Sequence, residues 1–219
     1  MKQLIFQFPF KTSYYEKDFY VSSNNFNAFK LIEGWPNWPG KNINIYGPKG
    51  CGKTHLANIF KKKIDSIYIE AAELENISLD IFKNKKKCLI IDNYKENIKE
   101  NFFYTIINEA NQNNQYIVVN SLKPLRKNNT KLKDLKSRFD TFIDLGIDLP
   151  TDDLLRVILT KSFSDKQIKV SVKLLEYIIK NIERSYEKTF KFIKDIDAVS
   201  LSSGKSININ LIKLVLKNE

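Results

Sequence analysis

The feature that most constrains the fold of this chain is a glycine-rich loop between an apolar stretch and a helical pattern. Residues 47–54 read Gly-Pro-Lys-Gly-Cys-Gly-Lys-Thr and match the pattern G-x-x-x-x-G-K-[ST]. The preceding residues 43–46 are typical of a short buried strand, and residues 55–63 have helical spacing. A strand that leads through such a loop into a helix predicts a parallel sheet covered by helices on both faces.

The same loop predicts a phosphate-binding site. Its glycines let backbone N–H groups turn toward phosphate oxygens, and the following helix directs its positive end at the same anion. Lys53 is expected to contact the β- and γ-phosphates, and the Thr54 hydroxyl is expected to hold Mg²⁺. We therefore expect a bound nucleoside diphosphate or triphosphate. The residues expected to bind it are Gly47, Pro48, Lys49, Gly50, Cys51, Gly52, Lys53, Thr54 and His55.

Strands and helices alternate after this loop. Strands are predicted over residues 66–70, 88–92, 116–120 and 142–145, and a helix over residues 101–111. The pattern changes at Pro150, after which helices are predicted over residues 154–163, 172–182, 189–201 and 210–216. We predict an α/β P-loop domain over residues 19–149 and a small all-α domain over residues 150–219, preceded by an N-terminal segment over residues 1–18.

An acidic residue ends the third predicted strand, where parallel sheets bind their ligands. Asp92 at this position is the expected second Mg²⁺ ligand beside Thr54. Asn93 follows, where many P-loop ATPases carry a carboxylate. An amide can orient a water molecule but cannot accept its proton. We therefore expect Asp92 and Asn93 to belong to the catalytic site, and we expect only weak intrinsic ATP hydrolysis.

Composition excludes some classes of protein. The net charge of +11 is consistent with contact with nucleic acid. We favour the alternative explanation, in which a Lys-rich composition places the charges across solvated faces. Two cysteines, Cys51 and Cys88, do not make a disulfide framework. The sequence shows no signal peptide and no apolar run of about 18 residues. We therefore expect a cytoplasmic protein without a membrane-spanning segment.

Several segments together resemble the DnaA-related AAA+ regulators of the Hda family. Residues 35–39 read Trp-Pro-Asn-Trp-Pro and lead toward the glycine-rich loop, and residues 19–25 resemble the family segment that packs beside the adenine. Residues 135–139, Leu-Lys-Ser-Arg-Phe, resemble the Ser-Arg-Phe box of the family. The resemblance runs from Gln3 to about Leu216. It implies an AAA+ fold with a helical lid and either ADP or ATP as the ligand.

The resemblance also implies roles for single residues. Arg138 aligns with the arginine finger, which reaches the γ-phosphate bound by a neighbouring subunit. Val21 falls beside the adenine, and either Asn120 or Ser121 falls at the sensor position that ends the fourth strand. Lys188 falls where the family has a sensor arginine in the lid. Because lysine keeps the charge but loses the bidentate fork, the sensing role of Lys188 is open.

The N-terminus resembles the short motif with which the family binds the DNA polymerase sliding clamp. Such a motif is an extended peptide that anchors through a glutamine and alternate apolar residues. An edge strand of the chain's own sheet is the alternative interpretation. The residues expected to contact the clamp are Gln3, Leu4, Phe6 and Phe8.

The function implied by the resemblance is negative regulation of replication initiation. The protein is expected to dock on the clamp and to stimulate hydrolysis of the ATP bound to DnaA. One alternative is a DNA-binding initiator or helicase-loader ATPase, which the positive charge favours. Another is a stand-alone ATPase, which Asn93 opposes. The sequence ends at Glu219 without the C-terminal DNA-binding domain of DnaA, which favours the regulator. Homo-oligomerisation and DNA contact through a basic surface stay open.

Overall fold

The computed structural model of the chain describes residues 16–83, 86–204 and 206–217. Within these ranges the chain divides between residues 148 and 149 into two compact units, an α/β unit and a helical unit. The residues predicted to bind the sliding clamp, Gln3, Leu4, Phe6 and Phe8, lie outside the described residues. No helix in the described ranges is both long enough and apolar enough to cross a bilayer.

The α/β unit is built on five parallel strands in the order β2-β3-β4-β1-β5. The strands are β1 (Asn42–Tyr46), β2 (Ser66–Glu70), β3 (Cys88–Tyr94), β4 (Tyr116–Ser121) and β5 (Ile143–Gly146). The α-helices of this unit are α1 (Phe26–Glu33), α2 (Lys53–Lys63), α3 (Glu100–Gln112) and α4 (Lys133–Phe139). The predicted fold class, a parallel sheet with helices followed by a helical part, is confirmed. The short helix α1 and the bounds of α4 were not predicted.

The central strands are buried because both of their faces are apolar. The side chains of β3 from Cys88 to Ile91 are fully buried, as expected for a strand covered on two sides. One face of the sheet packs against the apolar side of α3. Each fully buried Leu, Ile or Phe contributes on the order of 1.5–3 kcal/mol to this packing. The core on this face includes Leu89, Ile91, Ile117, Val119, Phe103, Ile106 and Ile107.

A buried asparagine in β1 joins this strand to β4. Asn44 is fully buried, and its Nδ2 donates hydrogen bonds to the Val119 carbonyl oxygen at 2.9 Å and to the Ser121 Oγ at 2.8 Å. Its Oδ1 accepts a hydrogen bond from the Leu125 backbone N–H at 3.0 Å. Because every polar atom of this side chain is paired, its burial carries little penalty, and the end of β1 is fixed against the end of β4.

The helical unit contains four helices in its described part. They are α5 (Asp152–Asp165), α6 (Val172–Asn181), α7 (Tyr186–Ser203) and α8 (Ile209–Lys217). The first three begin after a hydroxyl N-cap that accepts a backbone hydrogen bond, namely Thr151, Ser171 and Ser185. Such caps satisfy one of the amide donors that the first turn leaves free. The helices share a core that includes Leu155, Leu159, Ile178, Phe192, Ile196 and Ile212.

Candidate functional site

The glycine-rich loop lies between the end of β1 and the start of α2. Gly52 has a left-handed backbone with φ of 100°, and a Cβ at this position would lie 2.9 Å from the Phe19 Cε2. A Cβ on Gly47 would lie 2.5 Å from the Ile147 carbonyl oxygen. These two glycines therefore permit approaches that a side chain would block. Because α2 begins at Lys53, the unpaired N–H groups of its first turn lie at the loop and favour an anion there.

The Lys53 side chain is folded into the loop. It is only 8% exposed, and its Nζ donates hydrogen bonds to the carbonyl oxygens of Gly47 at 2.8 Å and Pro48 at 2.9 Å. The Cys51 Sγ lies 3.7 Å from the same ammonium. Burial raises the pKa of the Cys51 thiol although the positive charge of Lys53 acts in the opposite direction. The thiol therefore stays protonated at neutral pH, and the buried charge of the loop comes from Lys53.

Strands β3 and β4 bring Asp92 and Asn120 together. Both residues are fully buried, and the Asn120 Nδ2 donates a hydrogen bond to the Asp92 Oδ1 at 2.8 Å. The Asn120 Oδ1 is also buried, and the described residues provide no hydrogen-bond partner for it. Ser121, the alternative sensor position, donates to the Lys123 carbonyl oxygen at 2.7 Å. Of the two sensor positions predicted, Asn120 is the one that contacts the predicted metal-binding carboxylate.

Two residues of β2 belong to the same polar network and were not predicted. The Tyr68 hydroxyl donates to the Asp92 Oδ2 at 2.7 Å and lies 3.3 Å from the Glu70 Oε1. The Glu70 Oε2 accepts a hydrogen bond from the Asn93 Nδ2 at 2.9 Å. Burial, and next the hydrogen bond to Asp92, raise the pKa of Tyr68 well above its ordinary value, so the hydroxyl remains a donor. The available signal was Glu70 itself, a charged residue that ends a predicted strand.

Asn93 lies where the pairing between β3 and β4 is irregular. The register shifts between Ile91 and Tyr94, and the Asn93 backbone is left-handed, with φ of 57°. Asparagine tolerates this conformation better than most residues. The Asn93 backbone N–H donates to the Asp92 Oδ1 at 3.0 Å, and its exposed side chain turns to Glu70. The residue after the predicted metal-binding carboxylate is thus held by a neighbouring strand.

The oxygen atoms at this edge of the sheet fit the predicted Mg²⁺. Among the described residues the Asp92 Oδ2 accepts a hydrogen bond from Tyr68 alone, and so keeps a lone pair. The Thr54 hydroxyl in the first turn of α2 has no hydrogen-bond partner within the described ranges. No group of three His, Cys, Asp or Glu residues suited to a metal occurs in the described part. Mg²⁺ with a bound phosphate needs only one or two protein oxygens, so Thr54 and Asp92 suffice.

Aromatic residues of the predicted adenine-side segment pack beside the loop. The Phe19 ring stacks on the Phe29 ring with centroids 5.7 Å apart and meets the His55 ring edge-on at 5.3 Å. Val21, two residues further along, is half-buried. His55 thus has a packing contact in the first turn of α2. Contact of Val21 or His55 with a nucleotide stays a prediction.

Arg138 lies on α4, the helix that precedes β5. All four arginines of the sequence are described, and three of them form ion pairs with carboxylates: Arg126, Arg156 and Arg184. The half-buried Arg138 guanidinium has no hydrogen-bond or ion-pair partner among the described residues. A guanidinium is always charged, so this side chain offers an unneutralised fork of donors.

The predicted sensor lysine lies in the helical unit. Lys188 is in the first turn of α7, and its backbone N–H donates to the hydroxyl of the N-cap Ser185 at 3.4 Å. The cap fixes the start of the helix that carries Lys188. A contact between Lys188 and nucleotide stays a prediction.

Comparisons with known proteins point to the replication initiator DnaA. The chain is 29% identical to DnaA of Buchnera aphidicola over 96% of its length, and 28% identical to DnaA of Nautilia profundicola over 92% of its length. It spans about half the length of these curated relatives, 52% and 51% respectively. No protein-family model matches the chain.

Solved structures show the same fold. Domain III of DnaA from Thermotoga maritima has a TM-score of 0.78 at 18% identity and covers 96% of this chain and 98% of its own. AMPPCP-bound DnaA from Aquifex aeolicus has a TM-score of 0.67 at 22% identity and covers 87% of this chain and 67% of its own. The chain is thus similar in sequence to part of DnaA and shares the fold of domain III of DnaA.

Proposed function

We propose that this chain binds an adenine nucleotide with Mg²⁺ in the glycine-rich loop and acts in the control of replication initiation. The observation that carries the proposal is the position of Lys53, whose ammonium is enclosed by the loop at the start of α2. Positive charge, free helix N–H groups and the Asp92–Asn120 pair occur on one polypeptide unit, and together they suit a phosphate chain with its metal ion. The sequence similarity to DnaA supports adenine as the base and initiation as the process.

Loss of the Lys53 charge tests the nucleotide site. Hydrogen bonds to charged groups contribute roughly 1.5–3 kcal/mol each, so Lys53→Ala should weaken ADP and ATP binding by at least about tenfold. Lys87→Ala is the matched control, because Lys87 is exposed and directly precedes β3, at the opposite end of the strands. Binding is measured with labelled ADP, and folding is followed by thermal melting. If Lys53→Ala binds ADP as tightly as the parent, the loop is not the nucleotide site.

The finer role that we propose is that of an Hda-like regulator, which supplies Arg138 to ATP bound by DnaA. Its support is the Arg138 guanidinium, which has no partner among the described residues, whereas the other three arginines are neutralised by carboxylates. A guanidinium that arrives from a neighbouring subunit stabilises the negative charge that develops as the γ-phosphoryl group leaves. Arg138 would thus complete a site on another protein.

Docking on the sliding clamp through the N-terminus is the second part of this role. It is supported by the sequence of residues 3–8, in which a glutamine is followed by alternate apolar residues. The clamp would hold the regulator on DNA near DnaA, which raises the local concentration of Arg138. We propose the cytoplasm as the place where these contacts occur.

A DNA-binding initiator or helicase loader is a second candidate, which the net charge of +11 favours. Phosphate contacts weaken steeply with salt, so this candidate predicts salt-sensitive binding to DNA. A gel-shift titration with duplex and single-stranded DNA, without clamp, separates the two functions. Tight binding to bare DNA favours the initiator, whereas retention that needs the clamp favours the regulator.

A further inference from the structure

We propose that Glu70 is the proton acceptor for the water that attacks ATP in this site. This role rests on the proposed nucleotide binding. It supplies the proton acceptor that the predicted catalytic residues lack. Asn93 stands where a carboxylate would be useful, and an amide cannot take a proton. The structure supplies a carboxylate from the neighbouring strand instead.

The position of Glu70 is fixed by the pairing of β2 with β3. Glu70 is the last residue of β2 and is the direct partner of Asp92 in the parallel ladder. The carboxyl ends of parallel strands form the edge at which such sheets bind ligands. Glu70 therefore lies at the same edge as the metal-binding carboxylate and the glycine-rich loop.

A neutral amide holds the Glu70 carboxylate in place. The Asn93 Nδ2 donates to its Oε2 at 2.9 Å, whereas the Tyr68 hydroxyl, which donates to Asp92, lies 3.3 Å from its Oε1. Within the described residues no cation pairs with Glu70. The hydrogen bond to Asn93 places the Glu70 carboxylate next to the position at which many P-loop ATPases carry an acidic residue. Glu70 is only half-buried and Asn93 is exposed, so water can reach the pair.

The reaction balances with Glu70 in this role. The water oxygen forms a bond to the γ-phosphorus, and the bond from that phosphorus to the oxygen shared with the β-phosphate breaks. The bonding electron pair stays on the shared oxygen, which leaves as part of ADP. A proton of the water moves to a Glu70 carboxylate oxygen and is later released to solvent, and the second product is inorganic phosphate.

Slow turnover is compatible with this assignment. Strand β2 lies at the edge of the sheet, and β3 and β4 separate it from β1, which carries the loop. A base on this strand is further from the phosphates than a residue on β3 would be. We therefore expect weak hydrolysis, and we expect Glu70 to account for it.

The test compares Glu70→Gln with a matched control. Gln keeps the shape of the side chain and can still accept a hydrogen bond from Asn93, but it takes up no proton. Glu73→Gln is the control, because Glu73 is an exposed glutamate three residues further along the chain. ADP affinity, melting temperature and steady-state ATP hydrolysis are measured for each, with Lys53→Ala as the background. General base catalysis typically contributes about 10²–10⁴-fold, so Glu70→Gln should lower kcat by at least about tenfold at unchanged ADP affinity.

Glu70→Asp provides a second readout, because a shorter carboxylate should retain part of the rate. The proposal is supported if Glu70→Gln lowers kcat, Glu70→Asp retains more activity and Glu73→Gln matches the parent. Parental kcat in Glu70→Gln overturns it, as does a parent rate no higher than that of Lys53→Ala. Loss of ADP affinity in Glu70→Gln also overturns it, because the side chain would then act in binding. Failure of the parent itself to bind ADP would instead overturn the proposed nucleotide site.

Discussion

Replacement of Arg138 by alanine separates the proposed arginine finger from a structural arginine. The natural comparison is Arg126→Ala, because both residues lie in the α/β unit and both substitutions remove one guanidinium. Arg126 forms an ion pair with Asp144 and donates to the Phe142 carbonyl oxygen at 3.0 Å. Arg138 has no such partner among the described residues. Arg126→Ala should therefore lose stability but keep function, whereas Arg138→Ala should keep stability but lose function.

The expected stability effects follow from these contacts. Arg138→Ala removes a side chain that has no polar partner in the described part of the chain, and such changes usually alter the free energy of unfolding by less than about 0.5 kcal/mol. Arg126→Ala leaves the Asp144 carboxylate, whose side chain is only 16% exposed, without its cation. That loss should cost about 1–3 kcal/mol. At roughly 2–4 °C per kcal/mol, the melting temperature should fall by about 2–12 °C for Arg126→Ala and by less than about 2 °C for Arg138→Ala.

The functional assay uses DnaA loaded with labelled ATP, clamp-loaded DNA and purified variants. Arginine fingers contribute about 10³–10⁵-fold to rate, so Arg138→Ala should lose nearly all stimulation of DnaA-bound ATP hydrolysis. Arg138→Lys should recover part of it, because lysine supplies the charge without the bidentate fork. Arg126→Ala, measured well below its melting temperature, should still stimulate hydrolysis.

Two results would refute this reasoning. A stable Arg138→Ala variant with full stimulating activity would end the proposal of a finger in trans. A loss of stability in Arg138→Ala as large as that in Arg126→Ala would show that the Arg138 guanidinium supports the fold. ADP and clamp binding, measured on the same samples, identify any variant that fails for another reason.

Two further predictions concern the N-terminus and pH. Changing Gln3 and Leu4 together to alanine should weaken sliding-clamp retention by at least about tenfold, the effect of losing an interface anchor, and should leave ADP affinity unchanged; equal retention by both proteins would remove the motif. Burial raises the pKa of Asp144 above its ordinary value of 3.8, and Arg126 opposes that rise, so Arg126→Ala should raise the pKa further. The Asp144 carboxyl group then binds its proton more tightly in the folded chain than in the unfolded chain. Loss of this proton therefore destabilises the fold as pH rises above 3.8. The stability deficit of Arg126→Ala should therefore shrink between pH 7 and about pH 4 in thermal melts, and an unchanged deficit would contradict this assignment.

The sheet could be predicted from the sequence because its strands carry strong local signals. Short apolar runs before the loop, and the run that ends at Asp92, mark buried strands without any knowledge of their neighbours. The helices α1 and α4 have only 8 and 7 residues. Helices of this length depend on packing more than on periodicity, so their positions could not be inferred from local pattern.

The candidate site divides in the same way. The loop and Asp92 were predicted because a motif and a strand end mark them, whereas Asn120, with Ser121 as the alternative, was predicted only through the family resemblance. The contacts of Glu70 depend on which strand lies beside β3 and on its register, and a single sequence does not specify either. The left-handed turn at Asn93, which directs its amide toward Glu70, likewise arises from the irregular pairing of β3 with β4.

The buried amide of Asn44 has a consequence for the precision of the site. A valine there would pack well, but it would supply no polar contact that depends on the alignment of β1 with β4. The three hydrogen bonds of Asn44 form in one alignment only, so they fix the register of β1 against β4. Since β1 leads into the glycine-rich loop and β4 carries Asn120, these hydrogen bonds set the spacing between the loop and Asn120. A polar residue in the interior thus fixes the distance between two parts of the candidate site.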